Sequence, residues 1–107
     1  MVFEKFITQP VLAVFNGMFA NNFGDVGHNV VIHVRMFYGG TKVAEGGTNI
    51  STDQHYAMFP LVRALDVVRG KLRVEVSAGS EAGMMPGSVS YLGDYSTFSV
   101  VRVNEIL

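Results

Sequence analysis

Cysteine is absent from the 107-residue chain, which excludes disulfides, thiolate metal sites and cysteine nucleophiles. Charge is scarce: Asp, Glu, Lys and Arg make up 16% of the residues, against a usual share of roughly 25%. The 8 basic residues nearly cancel the 9 acidic ones, for a net charge of -1. No basic run or stripe exists, which argues against nucleic-acid binding through phosphate neutralisation. No apolar run approaches the roughly 18 residues a membrane helix needs, so no membrane partner is expected. Met1 to Phe6 carries Glu4 where a secretory leader would carry positive charge, and Val11 to Phe15 is too short for a leader core. No secretory leader is therefore expected, which leaves the cytoplasm, or release by lysis or by assembly into a particle.

Catalytic patterns are missing as well. The three histidines, His28, His33 and His55, show neither the i, i+2 strand spacing nor the i, i+4 helix spacing of a zinc pair. The acidic residues are scattered and offer no particular pair for glycosidase-type chemistry. Gly87-Ser88-Val89-Ser90-Tyr91 lacks the closing glycine of a nucleophile elbow. Gly24 to His28 and Gly79 to Gly83 lead into neither a helix nor a Gly-Lys-Ser/Thr phosphate loop. A small β-barrel enzyme of the cupin kind would need clustered His and carboxylate ligands, and no such cluster is visible. The expectation is a non-enzyme with no metal and no cofactor.

What the chain has in quantity is apolar residues, at 49%, and 12 glycines. Its length suffices for one domain with one core. So little charge is available to coat a small sphere that part of the surface is expected to be covered by partners, and copies of the same chain are the simplest.

Between the glycines lie short runs rich in Val, Ile, Phe and Tyr, the signature of strands and turns. The expected fold class is all-β, an antiparallel sandwich of about seven strands in a single domain. Residues 1–9 form an arm or edge strand, and 10–107 the sandwich. Pro10 to Asn21 is apolar on both faces around Val11-Leu12-Ala13-Val14-Phe15, which predicts a central strand covered on both sides. Asn29 to Tyr38 alternates, with Val30, Ile32, Val34, Met36 and Tyr38 facing one way, and Gly39-Gly40 predicts a tight hairpin into Thr41 to Glu45. Gly46 to Asp53 is polar and reads as an exposed loop. A strand is expected from Tyr56 to Val67, though Leu65 to Val68 also suits a helical turn, and Arg69-Gly70 is a turn. Leu72, Val74 and Val76 alternate with Lys71, Arg73, Glu75 and Ser77. Ala78 to Ser88 reads as a long surface loop, in which Met84 and Met85 could pack onto the body or a neighbour. The closing strand is Thr97 to Val103. Val2 to Ile7 alternates weakly and could add a strand to another subunit.

Three segments carry a family likeness. Val34-Arg35-Met36-Phe37-Tyr38-Gly39-Gly40-Thr41-Lys42-Val43-Ala44 is a strand, glycine turn and strand. Leu65-Asp66-Val67-Val68-Arg69-Gly70 leads through a glycine turn into the alternating Lys71-Leu72-Arg73-Val74-Glu75-Val76. Tyr95-Ser96-Thr97-Phe98-Ser99-Val100 is a closing strand with a Ser-Phe-Ser core. In these segments, roughly the C-terminal two thirds, the chain resembles the trimeric jelly rolls of tumour necrosis factor and the complement globular head. It looks closest to their relatives on phage tail fibres, spikes and capsid surfaces. The pattern departs from the family where Lys71 replaces the usual Asp after the turn glycine, and where the N-terminal strand pair is short.

The resemblance implies a homotrimer, with Tyr38, Phe98 and Val100 as candidate contacts near a threefold axis. It also implies a structural role in a virion, as capsid decoration or as part of a tail or fibre beside other virion proteins. The alternative is a carbohydrate- or receptor-binding module. Tyr91, Asp94 and Tyr95 are its candidate ligand contacts, since sugar sites combine aromatic rings with Asn and Asp groups, and Asn21, Asn22 and Phe23 offer a second such set.

Overall fold

The computed structural model of the protein describes residues 1–22, 29–51, 56–65, 70–80 and 89–102. Eight strands occur in the order β1 (Val2–Ile7), β2 (Val11–Asn21), β3 (Val30–Tyr38), β4 (Thr41–Ile50), β5 (Tyr56–Leu65), β6 (Gly70–Ser80), β7 (Val89–Tyr91) and β8 (Thr97–Arg102), with a short 3-10 turn at Gly93–Tyr95. They form two antiparallel sheets, β1-β6-β3-β4 and β5-β2-β7, with β8 also paired to β2. The fold is an antiparallel β-sandwich.

β3 lies at the centre of the first sheet because its inward side chains can all be buried. Val30, Ile32, Val34 and Met36 are completely shielded from solvent, and Tyr38 nearly so. The hairpin after it turns on Gly39 and Gly40, with φ angles of 59° and 84° that favour glycine. A bulge at Met36/Phe37 lets Val43 slip between the pairs Met36–Ala44 and Phe37–Lys42.

Gly46 and Gly47 do not end the strand as their polarity suggested. β4 runs through them to the buried Ile50, and each glycine marks a close approach. A Cβ on Gly46 would lie 2.7 Å from the Phe59 ring, and one on Gly47 2.7 Å from the Ile32 carbonyl oxygen. The expected loop beginning at Ala78 is likewise pushed back, since β6 continues to Ser80 alongside β3. Met84 and Met85, Asp66 to Arg69 and Val103 lie outside the described residues.

Val2–Ile7 forms the edge strand of its own subunit's sheet. It pairs with β6 from Val2–Glu75 to Ile7–Gly70, and Met1 and Val76 exchange backbone hydrogen bonds of 2.8 and 3.1 Å. Phe3 then enters the core, its ring 5.7 Å from that of Phe15, 5.3 Å from Tyr91 and 6.3 Å from Phe98. The inward Lys5 keeps its ammonium 5.3 Å over the Phe98 ring. An inward-pointing lysine discourages further strands from adding to an edge.

In the second sheet β7 and β8 lie end to end along one side of β2, at Phe19–Asn21 and Val11–Asn16 respectively. The break between them is stitched at Met18. Its carbonyl accepts from the Leu92 N–H at 2.9 Å, while its N–H donates to Ser96 Oγ at 2.8 Å, and that hydroxyl donates to the Leu92 carbonyl at 2.7 Å. A serine hydroxyl thus fills the ladder position that the short turn vacates. At the end of β2 the buried Asn21 donates through Nδ2 to the Ile50 carbonyl, 2.8 Å away, and ties the two sheets together.

Candidate assembly face

The two outer faces of the sandwich differ in chemistry. On the first sheet, Glu4, Lys42, Glu45, Lys71, Arg73 and Glu75 form a ladder of ion pairs. Lys71 meets Glu4 at 2.9 Å, Arg73 meets Glu75 at 3.2 Å and Lys42 meets Glu45 at 2.9 Å. Arg35 Nη2 lies 2.9 Å from His33 Nδ1. A guanidinium can only donate, so Nδ1 accepts and the ring proton of neutral His33 sits on Nε2, which faces Glu45 at 3.4 Å. The hydrogen bond from Lys42 holds the Glu45 carboxyl below its usual range. Desolvation opposes it, and the charges of Lys42 and Arg35 add to it, as does that of His33 when its ring is protonated. Arg73 also lies 4.9 Å over the Phe37 ring.

The outer face of the second sheet carries no charge among the described residues. Its register sets out successive rows across β5, β2 and the β7/β8 side. Leu12 is flanked by Ala64 and Val101, Val14 by Val62 and Ser99, and Asn16 by Pro60 and Thr97. Met18 lies beside Met58, and Ala20 between Tyr56 and Ser90. Tyr56, Met58 and Val62 remain 47%, 46% and 52% exposed. Isolated surface hydrophobics need no explanation, but these lie together on one contiguous uncharged face. Pro60 fits there because β5 is an edge strand and its missing N–H breaks no ladder on the free side.

Among the described residues, one polar atom on this face is unsatisfied. Asn16 Oδ1 is shut off from solvent with no hydrogen-bond partner. Beside it, Met18, Tyr56, Leu92 and Tyr95 line an open groove of about 360 Å³ at the break between β7 and β8.

None of the side chains expected at a threefold axis lies on this outer face. Tyr38 belongs to the buried core cluster, and Phe98 and Val100 pack against that cluster from the inner face of β8. Tyr91, Asp94 and Tyr95 do come together, around a shallow depression of about 270 Å³ that also touches Leu92 and Gly93. Only part of this set is presented to solvent: Tyr95 is 67% exposed, whereas the Tyr91 ring is engaged with Phe3 at 5.3 Å and Phe19 at 5.5 Å. Of the second set, Asn21 is buried, Asn22 is exposed and hydrogen-bonded through Nδ2 to Ser90 Oγ at 2.7 Å, and Phe23 lies outside the described residues. Among the described residues no three His, Asp or Glu side chains gather to hold a metal ion.

The two-sided apolarity of β2 was the sequence signal for the outer face. It pointed to cover on both sides, and among the described residues only the inner side is packed against the other sheet. Comparison with known protein families, with characterised proteins and with solved structures gives no match.

Proposed function

We propose that this chain is a non-enzymatic structural module that works by assembling with copies of itself through the outer face of β5, β2 and β8. The observation that carries the proposal is the division of charge between the two sheets. Ion pairs run across one outer face, which also exposes Val2, Phe6 and Val31, while the other presents Leu12, Val14, Met18, Met58, Pro60 and Val62 without a charge among the described residues. Depletion of charge with enrichment of Met and aromatic side chains is the composition of a subunit interface core. A virion role, as capsid decoration or as part of a tail or fibre, extends this proposal on the strength of the resemblance to trimeric jelly rolls.

The test is the solution mass by light scattering across a dilution series. A closed oligomer that dissociates on dilution is the expected result. A monomer at every concentration would overturn the proposal and shift the weight to a recognition role for the surface around Asp94 and Tyr95.

A further inference from the structure

Resting on that self-assembly reading, the geometry points to a specific arrangement: two copies pack sheet face to sheet face about a twofold axis that runs along β2. It is a pair, where the family resemblance implies three.

Each row of the face is lopsided. Across β2, Val62 stands opposite Ser99 at the level of Val14, and Ala64 stands opposite Val101 at the level of Leu12. In both rows a larger side chain flanks one side and a smaller one the other. A twofold axis along β2 lays the β5 column of one copy on the β8 column of the other, at the same level. Val62 then meets the partner's Ser99 and Val101 meets the partner's Ala64, so each projection faces a depression. An axis across the strands would instead stack β5 on β5, with exposed Val62 and Met58 crowded against their own kind.

The same operation disposes of the groove. Met58, 46% exposed, shares its level with Met18, and the groove beside Met18 opens where the β7/β8 column is interrupted. With the axis along β2, each Met58 enters the partner's groove between Met18, Leu92 and Tyr95. Methionine suits such an irregular hole. The two Asn16 carboxamides come together at the axis. Turned toward it, each Oδ1 that lacks a donor among the described residues of its own chain accepts from the partner's Nδ2.

Charge and area agree with a second copy as the occupant. An uncharged face has no charge to strand against another of its kind. Three strands about 4.8 Å apart and about ten residues long present a footprint of roughly 480 Å² per copy, or about 1,000 Å² for the pair. That lies at the lower end for a specific interface, so the pair should dissociate on dilution.

The chain has no cysteine, so an introduced thiol is unique and crosslinking reports the arrangement directly. V62C and S99C chains are prepared separately and mixed, and a short bismaleimide is added. Sheets packed face to face lie about 10 Å apart, which leaves facing thiols within reach while same-residue thiols are offset by two strands. The expected result is efficient crosslinking in the mixture and little in either variant alone. Efficient V62C–V62C or S99C–S99C crosslinks would overturn the axis along β2 while leaving self-assembly intact, as would a trimeric mass. Absence of any oligomer in wild-type protein would overturn both proposals together.

Discussion

Replacing Val62 with Glu separates folding from assembly. Val62 sits on the uncharged face beside Val14 and is already 52% exposed, so the isolated subunit loses little. A surface change of this kind is worth within about 0.5 kcal/mol of folding stability. In the pair the same side chain is covered, and symmetry counts it twice. Losing the burial of half a valine costs about 1 kcal/mol per copy. Desolvating a carboxylate whose only facing donor is the Ser99 hydroxyl of the other copy costs about 1–3 kcal/mol more. The total is about 4–8 kcal/mol per pair, a weakening of at least about a thousandfold. Chemical denaturation at low concentration reads the fold, and sedimentation across a concentration series reads the association. Unchanged association would refute the reasoning, and so would loss of the fold at low concentration.

Three further perturbations test the sandwich itself. Gly17→Ala puts a Cβ 2.7 Å from the Phe19 ring and within 2.9 Å of the Phe15 ring. Overpacking of about 1–3 kcal/mol should outweigh the roughly 0.5–1 kcal/mol that Ala gains over Gly in a strand. The melting temperature should therefore fall by several degrees, and a rise would contradict the packing described. Phe3→Ala removes ring contacts to Phe15, Tyr91 and Phe98 and should cost about 3 kcal/mol of folding stability by denaturant titration. If it weakens association alone, the strand does not belong to its own subunit. Glu45 is held below its usual range chiefly by Lys42. A depressed carboxyl stabilises the fold above its unfolded value and loses that contribution as pH falls through the folded one. Stability of wild type should thus drop more than that of Glu45→Gln between neutral pH and pH 3, and parallel curves would remove the effect.

Much of the fold was legible because strands announce themselves through period two. Val30 to Tyr38 alternates cleanly and is buried as the alternation predicts, and Gly39-Gly40 forms the turn its dipeptide requires. Glycine misled where it served packing instead of turning. Gly46 and Gly47 read as loop because nothing local reveals that Phe59 and the Ile32 carbonyl occupy their missing Cβ positions. β7 was unreadable for a different reason. Three residues show no period, and their strand geometry comes from pairing with Phe19, Ala20 and Asn21.

The uncharged face was legible only by half. The lack of charge in Val11 to Ala20 and in Tyr56 to Val62 was visible in the residue order. The pairing that sets those two runs side by side on one outer surface is a long-range register. The resemblance offered Tyr38, Phe98 and Val100 as subunit contacts; in the single chain Tyr38 is buried in the core cluster and Phe98 and Val100 pack against it, since aromatics fill cores as readily as interfaces.

The most direct test of the central claim is peroxide oxidation of the methionines, followed by peptide mass spectrometry over a range of protein concentrations. Met58 and Met1 are comparably exposed in the single chain, at 46% and 59%, but only Met58 lies on the uncharged face. Met58 should be protected in concentrated protein and become about as reactive as Met1 on dilution. Equal reactivity of the two at every concentration would contradict a second copy on that face.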